Sequence, residues 1–160
     1  MSVLVVYESV FGNTEQIAQA IGRALGADTR VVRVTELSPD QITGHDLLIV
    51  GSPTRGFRPM PSIVEILKAI PEGALQGTKV AAFDTRISPS DVKGLGGLVL
   101  RPMMSIFGYA AKPIADQLRA KGGELVAPPE GFIVLDREGP LKPGELDRAA
   151  AWGKQLASAL

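Results

Sequence analysis

Short apolar runs alternate along this chain with stretches in which apolar residues recur every three or four positions. Four runs are continuous: Val3–Tyr7, Arg30–Val34, Leu47–Val50 and Val80–Phe83. A fifth is broken, Glu124–Ala127 and then Phe132–Leu135, with Pro128 and Pro129 between. Runs this short and this rich in β-branched residues predict strands covered on both faces, as in a parallel sheet. The intervening stretches predict helices: Asn13–Leu25 on Ile17, Ala20, Ile21 and Ala24; Ser62–Ile70 on Ile63, Ile66, Leu67 and Ile70; Tyr109–Lys121 on Ile114 and Leu118; and Gly144–Leu160 on Leu146, Ala150, Gly153 and Leu156. Ser38–Thr43 is short enough to be a single turn. Regular alternation of strand and helix implies an open α/β sheet with helices on both faces. No linker, repeat or low-complexity tract divides residues 1–160, which read as one domain.

Ligands of such sheets lie beyond the carboxyl ends of the strands, where strand order reverses. For an order of 2-1-3-4-5 that point is over strands 1, 3 and 4. The loops that follow them, Ser9–Thr14, Ser52–Pro61 and Asp84–Gly108, are the polar and glycine-rich ones.

Composition narrows what those loops do. Lys+Arg and Asp+Glu are equal at 17 each, so no overall field draws the chain to nucleic acid or to an anionic membrane. Without cysteine there is no disulfide, thiolate nucleophile or iron–sulfur cluster, and the single His45 excludes a histidine-rich metal site. No apolar run approaches the roughly 20 residues of a membrane span, and the first residues read as a strand rather than a leader. These features lead us to expect a soluble, unprocessed protein of a reducing cytoplasm.

The first loop carries the most specific chemistry. Ser9 and Thr14 offer hydroxyls, Asn13 an amide, and Gly12 close backbone approach where a helix begins near Asn13. The exposed N–H groups and dipole of that helix favour an anion with no cationic side chain present. Asn13 and Thr14 equally suit a simple helix cap. The lysine of a Walker loop and a Gly-x-Gly-x-x-Gly are both missing, which argues against nucleoside triphosphates and dinucleotides.

Ser-Val-Phe-Gly-Asn-Thr-Glu at 9–15 resembles the phosphate loop of flavodoxins, commonly Ser/Thr-x-Thr-Gly-Asn-Thr-Glu, and the order of elements is similar over the whole chain. The resemblance implies a flavodoxin-like, doubly wound, five-stranded parallel sheet of order 2-1-3-4-5. It also implies bound FMN, with Ser9, Val10, Phe11, Gly12, Asn13 and Thr14 around the 5′-phosphate. Phe11 replaces the usual threonine and removes one hydroxyl contact. In the second loop Gly-Ser-Pro-Thr-Arg at 51–55 is similar to the loop of FMN-dependent NAD(P)H:quinone reductases, and the flavin-stacking tryptophan of flavodoxins is missing. The likeness makes Pro53 a cofactor-binding candidate and places Thr54 and the N–H groups near Arg55 and Gly56 at the pyrimidine edge of the ring, with Phe57 against its face. A solvated Arg55 and a core Phe57 are the alternatives. In the third loop Asp84, Thr85 and Arg86 are candidates for ribityl and ring oxygens. The rest, residues 87–108, reads as a mobile apolar cover, or else as a core helix near Leu98–Ile106. Trp152 belongs to the core and His45 to the surface.

Three functions follow: an FMN electron-transfer protein, an FMN-dependent NAD(P)H:quinone-type oxidoreductase, and a flavin-free scaffold that binds partners. Arg55 and Arg86 would favour an anionic reduced ring and hence two-electron chemistry. No general acid or nicotinamide site is evident, and the short chain leaves room for a substrate only across a homodimer or under residues 87–108. Electron transfer to a redox partner protein or a small quinone-like acceptor therefore stands first.

Overall fold

The computed structural model describes residues 1–88 and 108–160. Strands β1 (Val3–Tyr7), β2 (Thr29–Arg33), β3 (Leu47–Pro53) and β4 (Lys79–Ile87) are all parallel, in the order β2-β1-β3-β4. Register runs straight across the sheet: Val5 lies between Val31 and Ile49, and Ile49 lies beside Ala81. The fifth position is occupied by two pieces. β5 (Glu124–Leu125) pairs with Lys79 and Val80, and β6 (Glu130–Val134) pairs with Phe83 to Ile87, both parallel to β4. Pro128 and Pro129 lie between them and have no N–H to offer the ladder, so the broken apolar run becomes a broken strand. The expected order 2-1-3-4-5 holds, with this sixth strand as a small addition.

Helices α1 (Asn13–Leu25), α2 (Pro61–Ala69), α3 (Ala111–Ala120) and α4 (Glu145–Ala157) cover the two faces. Successive strand residues point to opposite sides. Leu4, Val6, Leu48, Val50, Val80 and Ala82 pack with α2 and α3 through Ile63, Leu67, Ile114 and Leu118. Val3, Val5, Leu47, Ile49 and Phe83 pack with α1 and α4 through Ile17, Ile21, Trp152 and Leu156. On this second face the rings of Phe83, Phe132 and Trp152 meet edge to face at 6.0–6.1 Å, which puts Trp152 in the core. The Phe83 ring lies directly on β3 because residue 51 is glycine; a Cβ there would approach the ring to 2.1 Å.

Boundaries differ from the sequence expectation where polar residues enter strands. β4 does not stop at Phe83 but continues through Asp84, Thr85 and Arg86, flanked by Ser52 and Pro53 of β3 and by Gly131 to Ile133 of β6. β2 ends one residue sooner, and Val34–Glu36 forms a 3-10 turn. Ser38–Thr43 contains one such turn, Pro39–Gln41.

Candidate functional site

β1 ends at Tyr7 and α1 starts at Asn13, so residues 8–12 must carry the chain from sheet to helix. Gly12 makes that turn at φ 92°, a left-handed conformation that costs an L-residue about 1–2 kcal/mol. A Cβ at Gly12 would meet nothing within 4 Å, so glycine is needed for conformation and not for space. Ser9 Oγ accepts the N–H groups of Gly12 at 3.1 Å and Glu15 at 3.3 Å. The N–H groups of Val10, Phe11, Asn13 and Thr14 find no acceptor among the described residues. Four backbone donors are thus left open at the positive end of a 13-residue helix, in a loop with no cationic side chain.

A cleft open to solvent lies over this loop. Ser9, Val10, Phe11, Asn13 and Thr14 form one wall. Pro53 at the end of β3 and Thr54 and Arg55 beyond it, with Thr85, Arg86 and Ile87 of β4, form the opposite one. Thr14 and Thr85 join the walls at the floor through their hydroxyls, 2.8 Å apart and buried. The remaining residues named from sequence stand outside this lining. Gly12 is taken up in the turn, and Gly56 and Phe57 form the tip of a two-residue turn in which Arg55 and Arg58 exchange backbone hydrogen bonds of 2.9 and 3.1 Å. Phe57 has φ 66°, a strained conformation for a bulky residue, beside Gly56 at φ 56°.

Asp84 departs furthest from its expected place. Its side chain is completely buried and is used up within the protein: Oδ1 and Oδ2 accept Arg86 Nε and Nη2 at 2.7 Å each, and Oδ2 also accepts the Ala111 N–H at 2.9 Å. Burial pushes its pKa up, against the pull of Arg86 and the Ala111 N–H. The carboxylate therefore fastens the start of α3 and leaves no oxygen for a ligand. Arg86 is fixed in turn, its guanidinium 3.7 Å from the centre of the Tyr109 ring. Gly131 lies against it, since a Cβ there would meet Arg86 Cζ at 2.2 Å. The expectation of two free cations at the ring end needs correcting: the Asp84 carboxylate offsets the charge of Arg86, while Arg55 forms no ion pair among the described residues. Thr54 Oγ1 is partly engaged as well, accepting the Ala110 N–H at 3.1 Å.

Two groups of residues were missed from the sequence. The first supports the loop from below. Glu8, only 8 % exposed, accepts the Ser9 N–H at 2.9 Å, Arg33 Nη1 at 2.6 Å and Ser62 Oγ at 3.0 Å. Burial alone would push the Glu8 pKa up, but these three donors outweigh it and hold it below the usual carboxylate range. Arg33 also donates to the Ser9 carbonyl at 2.9 Å and lies over the Tyr7 ring. Tyr7 donates to Glu15 at 2.6 Å, and burial together with that carboxylate pushes its pKa up to about 12. The register Tyr7↔Arg33 brings these groups together, so the predicted adjacency of strands 1 and 2 was the signal available. The second group is Val134 at the end of β6 and Arg137 on the loop that follows, both lining the cleft; nothing in the sequence near 137 signals it.

The donor set fits FMN at its phosphate end: open backbone N–H groups, neutral side chains and a helix start suit a dianionic phosphate, and the Pro53–Arg55 wall leaves a mixed apolar and polar slot beside it. Among the described residues no cluster of His, Asp or Glu is arranged for a metal ion, and no helix is long and apolar enough to cross a membrane. Of the expected cover at 87–108, residues 89–107, which include the alternative helix at Leu98–Ile106, lie outside the described residues.

Comparison with known proteins bears on the same features. Residues 5–155 match the family model described as Flavodoxin. An NAD(P)H dehydrogenase (quinone) of Azorhizobium caulinodans is 27% identical over 93% of this chain and 90% of its own length. A flavodoxin of Megasphaera elsdenii is 34% identical over 51% of this chain and 62% of its own. Among solved structures, oxidised flavodoxin 1 of Bacillus cereus superposes with a TM-score of 0.75 at 16% identity, covering 100% of this chain and 99% of that one.

Proposed function

The chain belongs to the flavodoxin family of FMN-binding electron-transfer proteins, and we propose that it holds FMN in the cleft between the loops after β1, β3 and β4 and passes electrons to a redox partner protein. The observation that carries this assignment is the set of open N–H groups at Val10, Phe11, Asn13 and Thr14. These donors would hold the phosphate, with the Thr14–Thr85 hydroxyl pair beneath it. Thr54, Arg55 and Thr85 would flank the ribityl chain and ring. When bound, FMN supplies the redox chemistry by accepting and releasing electrons at its isoalloxazine ring. The protein's own share is to bind it, orient it and limit water at one edge. The Asp84–Arg86–Tyr109 assembly braces the second wall.

A second reading, FMN-dependent NAD(P)H:quinone-type oxidation and reduction, is favoured by the Azorhizobium relative, which aligns over nearly the whole chain, and by a cleft lined, among the described residues, by three arginines and no carboxylate. A cytoplasmic location, a single domain and a possible homodimer belong to the same set of proposals. Anaerobic titration of FMN-loaded protein separates the readings. An electron carrier is reduced by dithionite but only sluggishly by NADH or NADPH. Rapid stoichiometric bleaching by NAD(P)H, with reoxidation by a quinone, would make it an enzyme, and failure to retain FMN would leave the partner-binding scaffold.

A further inference from the structure

We propose that Arg137 closes the phosphate end of the cleft and supplies to the FMN 5′-phosphate the one cation that the loop at residues 9–14 lacks. The inference rests on the FMN reading above and goes beyond the family's neutral phosphate loop. Arg137 lines the same cleft as Ser9, Asn13 and Thr14 although it lies more than a hundred residues away in the chain. The turn that carries it is tied to the start of α1. Asn13 Nδ2 donates to the Glu138 carbonyl at 3.1 Å, which ties the start of α1 to the residue next to Arg137. Gly139 packs so closely on Asn13 that a Cβ there would come within 2.7 Å of Asn13 Oδ1. The Gly139 N–H bonds to the Asp136 carbonyl at 3.0 Å and closes a tight turn with Arg137 near its apex.

The charge of Arg137 is also uncommitted. Asp136 uses Oδ1 to accept the Arg137 backbone N–H at 2.7 Å, and no ion pair of the Arg137 guanidinium occurs among the described residues. The other two cleft arginines are differently placed: Arg86 is paired with Asp84, and Arg55 stands on the β3 loop. Among the described residues no carboxylate lines the cleft to compete for Arg137. A guanidinium matches two phosphate oxygens at once, whereas a solvent-facing contact of this kind is weakened by salt. The amide of Asn13, expected from sequence to contact phosphate, serves in this arrangement to hold the arginine-bearing turn.

The test is FMN and riboflavin binding, measured by flavin fluorescence quenching for the unmodified protein, Arg137→Gln, Arg137→Lys and a control, Arg119→Gln, which removes one exposed charge from α3. At low ionic strength Arg137→Gln weakens FMN binding roughly five- to tenfold and riboflavin binding less than about twofold. Lysine restores part of the loss, the control has no effect, and the difference shrinks at about 0.5 M salt. Equal weakening of FMN and riboflavin, or no weakening of FMN, would overturn the role of Arg137 while leaving FMN binding itself intact. If the unmodified protein binds no FMN, the underlying functional reading fails with it. Circular dichroism of each variant confirms that the fold is retained, and the Lys and Arg119 variants keep the test decisive should the glutamine variant unfold.

Discussion

The loop after β1 and the end of β4 face each other across one cleft, joined at Thr14 and Thr85, yet they use their polar groups in opposite ways. At the first, side chains satisfy one another and the backbone is left open: Ser9 Oγ caps Gly12 and Glu15, Glu8 takes Arg33 and Ser62, and four N–H groups find no acceptor among the described residues. At the second, the charged side chains are consumed by the fold, since Asp84 binds Arg86 and Ala111 and Arg86 is held against Tyr109. A polar residue near the carboxyl end of a strand is thus not yet a ligand contact. What matters is whether its hydrogen-bonding capacity is already committed.

The largest effect expected from this contrast is at Asp84. Replacing it by alanine leaves a mostly buried guanidinium and the Ala111 N–H without partners, a loss of about 3–5 kcal/mol in folding stability, measured by urea denaturation of the apo protein. A loss below about 1 kcal/mol, accompanied by loss of FMN affinity, would reverse the comparison.

Glu8 supports the open loop and carries a pH signature. Glu8→Gln is expected to destabilise the protein by about 1–3 kcal/mol at pH 7. Because the folded pKa of Glu8 is depressed, its ionised form contributes stability that is fully present above the unfolded value of about 4.3 and is lost as pH falls through the folded pKa. Denaturation curves of the two proteins therefore converge below about pH 4, whereas a gap that persists undiminished there would mean that shape, not charge, matters.

Gly12→Ala comes next. There is room for the methyl group, so the cost is the left-handed backbone alone, about 1–2 kcal/mol, appearing in stability or as a matching loss of FMN affinity. Substitution without any cost would show that the loop does not need this conformation.

The smallest effect is electrostatic. Arg55 carries no compensating carboxylate among the described residues whereas Arg86 does. Arg55→Gln is expected to lower the two-electron midpoint potential of bound FMN by up to about 30 mV, and Arg86→Gln to produce a smaller shift together with a loss of stability. A larger shift from Arg86 would contradict its pairing with Asp84.

How far the molecule was legible in its sequence follows from the same contrast. β1 and α1 lie where their apolar periodicity put them, because a strand buried on both faces and an amphipathic helix each leave an unmistakable pattern. The end of β4 was hidden because Asp84, Thr85 and Arg86 look like loop residues. Their burial depends on partners at 109–111 and 131 that no local pattern reveals. The loop after β1 was legible as a motif, while its support by Arg33 required register and the tie of the Arg137 turn to it required a contact across 125 residues, Asn13 to Glu138.

The central claim is that open backbone donors of the loop after β1 hold the phosphate of FMN. Calorimetric titration of the apo protein with FMN and with riboflavin, which differ only in that phosphate, tests it most directly. Several charge-assisted hydrogen bonds predict FMN binding at least about a hundredfold tighter. Equal affinities for the two flavins in the unmodified protein would contradict the account.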